Sequence, residues 1–204
     1  LTGQGSAMAY AAIHRGYHHK YADRNKLDPH SPLVHSFWHS YYGWHFAPVT
    51  FSLKCVSDLR KDKFLVWSHR HYHKIYLISM VAIGLANWRL LLYGVTIPSL
   101  VHVHEMNILN SFCHSPRFGY RNFKTDDRSV NNLLFGLLTW GTGYHNNHHA
   151  LPGAYHNQVK WFEFDPFRWI MPAIIESSNY AREKPVIDST SSTGTSLTQA
   201  EYLN

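Results

Sequence analysis

The chain has 204 residues, 45% hydrophobic, 15% aromatic and only 16% charged, with 17 His against 13 acidic residues and a formal charge of +6. That balance excludes intrinsic disorder, and two cysteines, Cys55 and Cys113, cannot staple a disulfide scaffold and read as thiols in a reducing compartment. No RNP, zinc-finger or helix-turn-helix signature is present, so the excess charge points away from nucleic acid and toward a membrane protein with Lys and Arg on one side.

The sequence opens at Leu1 in an apolar stretch without a charged n-region, which is not a signal peptide. It reads as the end of a helix that begins upstream, and the chain as a fragment of a longer protein. Gly5 to His19 reads as a helix, stopped by Asp28-Pro29-His30-Ser31-Pro32. An aromatic and His-rich stretch, Leu33 to Phe51, follows, and then Leu53 to Lys74, a charged amphipathic stretch read as one cytosolic-side helix. Ile75 to Val101 is the strongest apolar run, broken by Asn87-Trp88-Arg89. A single span would bury Arg89 at a cost of about 2.5–3.5 kcal/mol, which a hairpin turning at Asn87 to Arg89 avoids. Its first arm, Ile75 to Ala86, is too short for a hydrocarbon core of about 30 Å unless it starts near Phe64 to Tyr72; the second, Leu90 to Leu109, is long enough. A polar loop, Ser115 to Asn132, leads to an apolar helix from Leu133 to Trp140, an interfacial segment from Trp161 to Ile175, and a Ser/Thr-rich tail after Lys184 that reads as disordered. The expected fold class is all-α: a membrane-embedded helical hairpin or hairpins with a cytosolic helical cap.

Histidine clusters carry the chemistry. In His14-Arg15-Gly16-Tyr17-His18-His19, a helix stacks His14 and His18 on one face, with His19 about 100° round from His18. In His145-Asn146-Asn147-His148-His149, the three histidines fall within about 100° of one another. His114 stands alone at the end of the second arm. Imidazole suits Fe, Zn, Cu and Ni, and two triplets plus one more exceed what a four-coordinate zinc site uses, so two metals fit better. His35, His39, His45, His69, His71, His73, His102 and His156 read as structural or solvated. His104-Glu105-Met106-Asn107-Ile108 fails as a zinc-protease motif because Ile108 stands at the second His position, and no Glu is followed by His three residues later. A histidine-rich site remains.

Four stretches in order resemble the integral-membrane fatty acid desaturases of the stearoyl-CoA (delta-9) type. They are His14-Arg15…His18-His19 with Asp28-Pro29-His30-Ser31-Pro32, then Gly43-Trp44, then Asn110-Ser111…His114…Phe118-Gly119-Tyr120-Arg121, and finally Gly143 to Pro152 around the third histidine box. The resemblance covers Leu1 to Trp169 and implies a desaturase domain over 1–184, followed by the tail at 185–204. The family's first box would lie upstream of Leu1. The second box, usually HRxHH, has one extra residue here, and Met106-Asn107 replaces a Thr-Trp that lies near the acyl chain in many relatives.

The resemblance implies two iron ions (Fe2+/Fe3+) held by His14, His18, His19, His114, His145, His148 and His149, with Asn110 reaching one through water. The activity it implies is O2-dependent insertion of a cis double bond into an acyl-CoA or acyl-lipid substrate. Electrons would come from a partner such as cytochrome b5 or ferredoxin, and the basic loop Arg60 to Lys63 could dock an acidic donor. The expected location is a multi-pass membrane protein (endoplasmic reticulum, cytoplasmic or thylakoid membrane) with its site on the cytosolic side. The rival readings are a histidine-rich membrane di-iron hydroxylase, whose boxes tolerate HxxxHH, and an inactive metal-binding remnant.

Overall fold

A computed structural model of the chain describes residues 3–177, so the tail expected at 185–204 lies outside the described residues. Among these residues the regular structure is helical, with two isolated antiparallel bridges, Tyr120 with Asn131 and Asn131 with Tyr144, and no strand. The chain divides into two compact units, Leu1–His114 and Ser115–Asn204.

In the first unit, helix α1 (Ala7–Ile13) starts where Ser6 caps it, Oγ accepting from the Ala9 N–H at 3.1 Å. The same hydroxyl meets His69 Nδ1 at 2.6 Å, so His69 ties a distant segment to the helix start and is not a solvated residue. Met8 and Ala12 turn inward onto Val56 and form the small core of this unit. Beyond Ile13 the helix widens into a π-helical turn over His14–His18 before one further turn, α2 (His19–Tyr21). Asp23, at φ 59°, ends it in the left-handed region, which Asp tolerates better than most residues.

Helix α3 (Phe37–Tyr41) is capped by Ser36 and held by Ser40 Oγ, which donates to the Asn110 carbonyl at 2.8 Å. The single helix expected over Leu53 to Lys74 is broken into 3₁₀ turns at Leu53–Val56 and Leu59–Lys61, then α4 (Lys63–Arg70) and α5 (Tyr72–Ala86). The cause is Asp62. Its backbone is extended and its carboxylate accepts from the Phe64 and Leu65 N–H groups at 2.7 and 3.1 Å, a helix cap in the middle of the charged run.

The helix breaks where the sequence indicated. Asn87 is extended, and its Oδ1 accepts from the Arg89 and Leu90 N–H groups at 3.0 and 3.2 Å. A π-helical stretch, Leu90–Thr96, then runs into α6 (Ile97–Ser111). Leu77, Ile78, Val81 and Leu85 on α5 and Leu100 and Val101 on α6 are exposed. Yet α5 is about 22 Å long, and among the described residues no helix is long and apolar enough to cross a membrane.

In the second unit, α7 (Leu133–Leu138) is capped by Asn132 and stops two residues short of the expected Trp140. Thr139 is responsible: its Oγ1 donates to the Phe135 carbonyl and accepts from the Gly143 N–H. Trp140 and Gly141 then turn with positive φ, and the chain passes back against α7 so closely that a Cβ at Gly143 would lie 2.3 Å from the Gly136 nitrogen. Helices α8 (His145–Ala150) and α9 (Phe167–Ser177, containing Pro172) follow.

Candidate metal centre

In the first unit the π-helical turn decides the geometry of the histidine cluster. The His19 N–H donates to the His14 carbonyl, five residues back, so His19 stacks over His14 and does not diverge from it as an α-helical register requires. The two Nε2 atoms lie 3.0 Å apart with their rings at 90°. His18 packs beside both, with ring centroids 5.4 Å from His14 and 5.8 Å from His19. His114, just beyond α6, meets His18 at 4.8 Å between ring centroids, and each of these two is at most 1% exposed. Asn110 is buried and lines a narrow cavity with His14, His30, Tyr10, Ile13, Trp44 and Met106.

In the second unit, α8 carries His145, His148 and His149 as the spacing indicated. His145 and His149, one turn apart, point Nε2 at Nε2 across 3.2 Å, and His148 lies 5.6 Å from His145 between ring centroids. The two asparagines between them fix the helix. Asn146 Oδ1 accepts from the Asn122 and Phe123 N–H groups, while Asn147 Nδ2 donates to the Asn157 carbonyl and to Glu163. Glu163 is fully buried. It also accepts from Tyr120 Oη, Asn122 Nδ2 and the Val159 and Lys160 N–H groups, so one carboxylate holds the box against three loop segments.

The spacing of the paired nitrogens is chemically informative. For metal–imidazole bonds of about 2.1 Å, two cis ligands at 90° sit about 3.0 Å apart, and at a tetrahedral angle about 3.4 Å. The observed 3.0 and 3.2 Å fit cis positions near 90–100°, although a single N–H···N bond accepts the same distance. Carboxylates behind three rings of the two clusters, His149 of the second pair among them, bear on which nitrogen carries the proton.

His18 Nδ1 donates to Asp28 at 3.1 Å, His114 Nδ1 to Asp23 at 2.7 Å and His149 Nδ1 to Asp127 at 3.1 Å. A carboxylate on Nδ1 fixes the proton there and leaves Nε2 as a basic lone pair, which is how proteins orient metal-ligating histidines. Burial would raise the Asp28 carboxyl, but the hydrogen bond from His18 and the attraction of that ring hold it well below the usual range. Asp127 is held low in the same way, by His149 and the hydrogen bonds from Ser129. The donor set fits a borderline metal bound by nitrogen.

The sequence profile described as "Fatty acid desaturase" matches residues 1–184. The chain belongs to the fatty acid desaturase family. It is 31% identical over 179 residues to the Acyl-CoA C20 Delta5-desaturase of Anemone leveillei, covering 85% of this chain and 55% of the relative. It is 29% identical over 196 residues to the Delta-9 acyl-lipid desaturase 2 of Arabidopsis thaliana (91% and 61%), and 29% identical over 169 residues to the sn-1 stearoyl-lipid 9-desaturase of Synechocystis sp. (81% and 52%). The chain thus spans little more than half the length of these curated relatives.

Asp23, Asp28 and Asp127 are the residues that sequence reasoning missed. Asp28 entered it as part of a helix stop and of the stretch that follows the second histidine box, never as a partner of a histidine. His30, the residue two beyond, is buried, lies 5.4 Å from the His18 ring and is packed edge-on against Trp44 at 4.3 Å. Burial pushes it down to about 3, so it is a neutral imidazole. His35 and His39 donate through Nε2 to the Asp28 and Pro29 carbonyls, and His45 through Nε2 to Asn107 Oδ1.

Proposed function

We propose that this chain supplies most of the metal centre of a membrane fatty acyl desaturase. In this reading His14, His18, His19, His114, His145, His148 and His149, with Asn110 acting through water, hold two iron ions. The observation that carries it is the pairing of Nε2 atoms at 3.0 and 3.2 Å together with aspartates on the outer nitrogens of His18, His114 and His149. When bound, the irons supply the O2-dependent chemistry that removes two hydrogens from neighbouring methylenes. The protein's own residues do the selecting. An unactivated C–H bond has no acidic proton to abstract, so regiochemistry comes from holding one pair of carbons in place. Tyr10, Ile13, Trp44 and Met106 give the cavity beside His14 and Asn110 its apolar wall. It is tight, about 40 Å³, so an acyl chain enters by displacing a side chain, and Met106 is the most adaptable of the four. Met106 and Asn107 are therefore the positions to vary for chain length and double-bond position.

The exposed apolar side chains of α5 and α6 support a membrane-embedded hairpin turning at Asn87. A second concavity, about 290 Å³, is lined by Arg60, Lys63, Val66, Trp67, Arg70 and His71. Its charge suits an acidic electron donor of the cytochrome b5 or ferredoxin kind, which extends the docking role expected of the loop from Arg60 to Lys63. The substrate is an acyl-CoA or acyl-lipid, and the delta-9 position is the one we assign.

Metal analysis of the purified protein and product analysis in a host lacking its own desaturase test this reading. About two irons per chain and a cis alkene support it. An alcohol product would replace it with the hydroxylase reading, and zinc or no metal would overturn the di-iron assignment. His148→Ala should abolish the unsaturated product while the protein still accumulates in membranes.

A further inference from the structure

We propose that Gly16 is a positioning residue for the metal ligands: its bare Cα lets Cys55 close onto the π-helical turn, and that turn sets His14 and His19 on a common centre. The inference rests on reading those two histidines as ligands. In an α-helix, residues five apart point about 140° away from each other, so His14 and His19 would diverge. The hydrogen bond from the His19 N–H to the His14 carbonyl absorbs one residue and brings their Nε2 atoms to 3.0 Å.

A π-helical turn is a rare conformation that needs support from its surroundings. Here the support comes from the segment around Leu53–Val56. A Cβ on residue 16 would lie 2.4 Å from Cys55 Sγ and 2.9 Å from Cys55 Cβ. The Sγ could rotate away, but the Cβ moves only with the backbone. That backbone is anchored one residue later by Val56, fully buried against Met8 and Ala12. The clash is therefore relieved by displacing the turn that carries the ligands. Arg15 reinforces the same junction with a 2.8 Å ion pair to Asp58, although both side chains are half exposed and the pair contributes less.

The direction of the effect is diagnostic. Ala favours α-helix over Gly, so an ordinary helical position would be helped by Gly16→Ala. Our expectation is the opposite. In the purified protein, Gly16→Ala should weaken metal retention against a chelator by roughly tenfold or more and shift the visible absorption of the cobalt-substituted protein, with helix content by circular dichroism unchanged. Cys55→Gly alone should behave like wild type. The Gly16→Ala/Cys55→Gly pair, which removes both clashing atoms, should restore retention and spectrum, whereas Gly16→Ala/Cys55→Ser, which keeps the Cβ, should not. Wild-type metal behaviour in Gly16→Ala, or a Cys55→Gly double variant that stays metal-poor, overturns the proposal. If the single variant does not accumulate, the contrast between the two double variants decides the matter alone. A wild-type protein that binds no metal would instead strike at the ligand assignment.

Discussion

Asp127→Asn is the sharpest probe of the outer carboxylates, because the change is isosteric and reverses one hydrogen bond. Asp127 Oδ1 accepts from Thr125 Oγ1 at 2.9 Å, from the Ser129 N–H at 2.8 Å and from Ser129 Oγ, while Oδ2 faces His149 Nδ1 at 3.1 Å. In the asparagine variant the amide oxygen keeps its three donors, so the amide NH2 is turned toward His149. Nδ1 must then accept, the ring proton moves to Nε2, and the atom facing His145 Nε2 no longer offers a lone pair. Recovering the right tautomer means losing a charge-assisted hydrogen bond, about 1.5–3 kcal/mol, or between one and two decades of affinity. That agrees with the 10–100-fold typical of such outer partners. The assay is titration of metal-free protein with cobalt(II) against a competing chelator. Asp165→Asn serves as the control: Asp165 is also buried in the same unit but accepts from the Asn157 and Phe167 N–H groups and from no proposed ligand. Wild-type affinity in Asp127→Asn, or an equal loss in Asp165→Asn, would refute the argument.

Three other outcomes are expected. Asp28 has its carboxyl lowered on folding, so its contribution is present above the unfolded carboxylate value of about 3.9 and is lost as pH falls through the lower folded value. Denaturant midpoints of metal-free wild type and Asp28→Asn should therefore differ fully at pH 6 and converge in strong acid; a gap independent of pH would contradict this. Glu163→Ala strands five donors in a buried site and should cost about 3–5 kcal/mol, read as a fall in melting temperature, with Glu163→Gln milder; an unchanged transition would remove Glu163 as the hub of the third box. Reversing Arg60 and Lys63 to Glu should slow reduction by an acidic donor at low ionic strength and leave bound iron unchanged, the difference vanishing at high salt. Equal rates at low salt would move the donor site elsewhere.

The sequence was informative where chemistry is local and silent where it is not. Spacing alone grouped His145, His148 and His149, because four residues close an α-helical turn and α8 obeys that period. The same arithmetic put His19 about 100° from His18 and away from His14, since nothing in a 3.6-residue period announces a π-helical turn; only the small Gly16 hints that something packs there. The break at Asn87 was legible from a polar interruption of an apolar run, and Asn87 proved to be its own cap. The aspartates were not legible, because Asp23 reaches His114 across 91 residues and Asp127 reaches His149 across 22. No sequence window pairs them. Asp62 is the intermediate case: a helix cap visible in principle, hidden inside a run of charges that reads as a solvated helix face.

The scarcity of acids takes on a different meaning beside the three aspartates. A site built on imidazole alone gathers neutral ligands around cations, and each buried positive charge needs compensation from within the fold. Carboxylates bound directly to the metals would supply it, but they would also occupy coordination positions and soften the preference for nitrogen. Moving each carboxylate one ring outward keeps the negative charge nearby while the atom offered to the metal remains Nε2. It also uses the carboxylate twice, since the same contact that balances charge selects the tautomer. Asp23 makes the point most economically. It sits at a left-handed backbone position, accepts from Ser31 Oγ through one oxygen and holds His114 through the other at 2.7 Å. On the proposed ligand assignment, the histidine excess and the acid shortage belong to one design: few carboxylates suffice when each is buried, hydrogen-bonded and placed behind a ring.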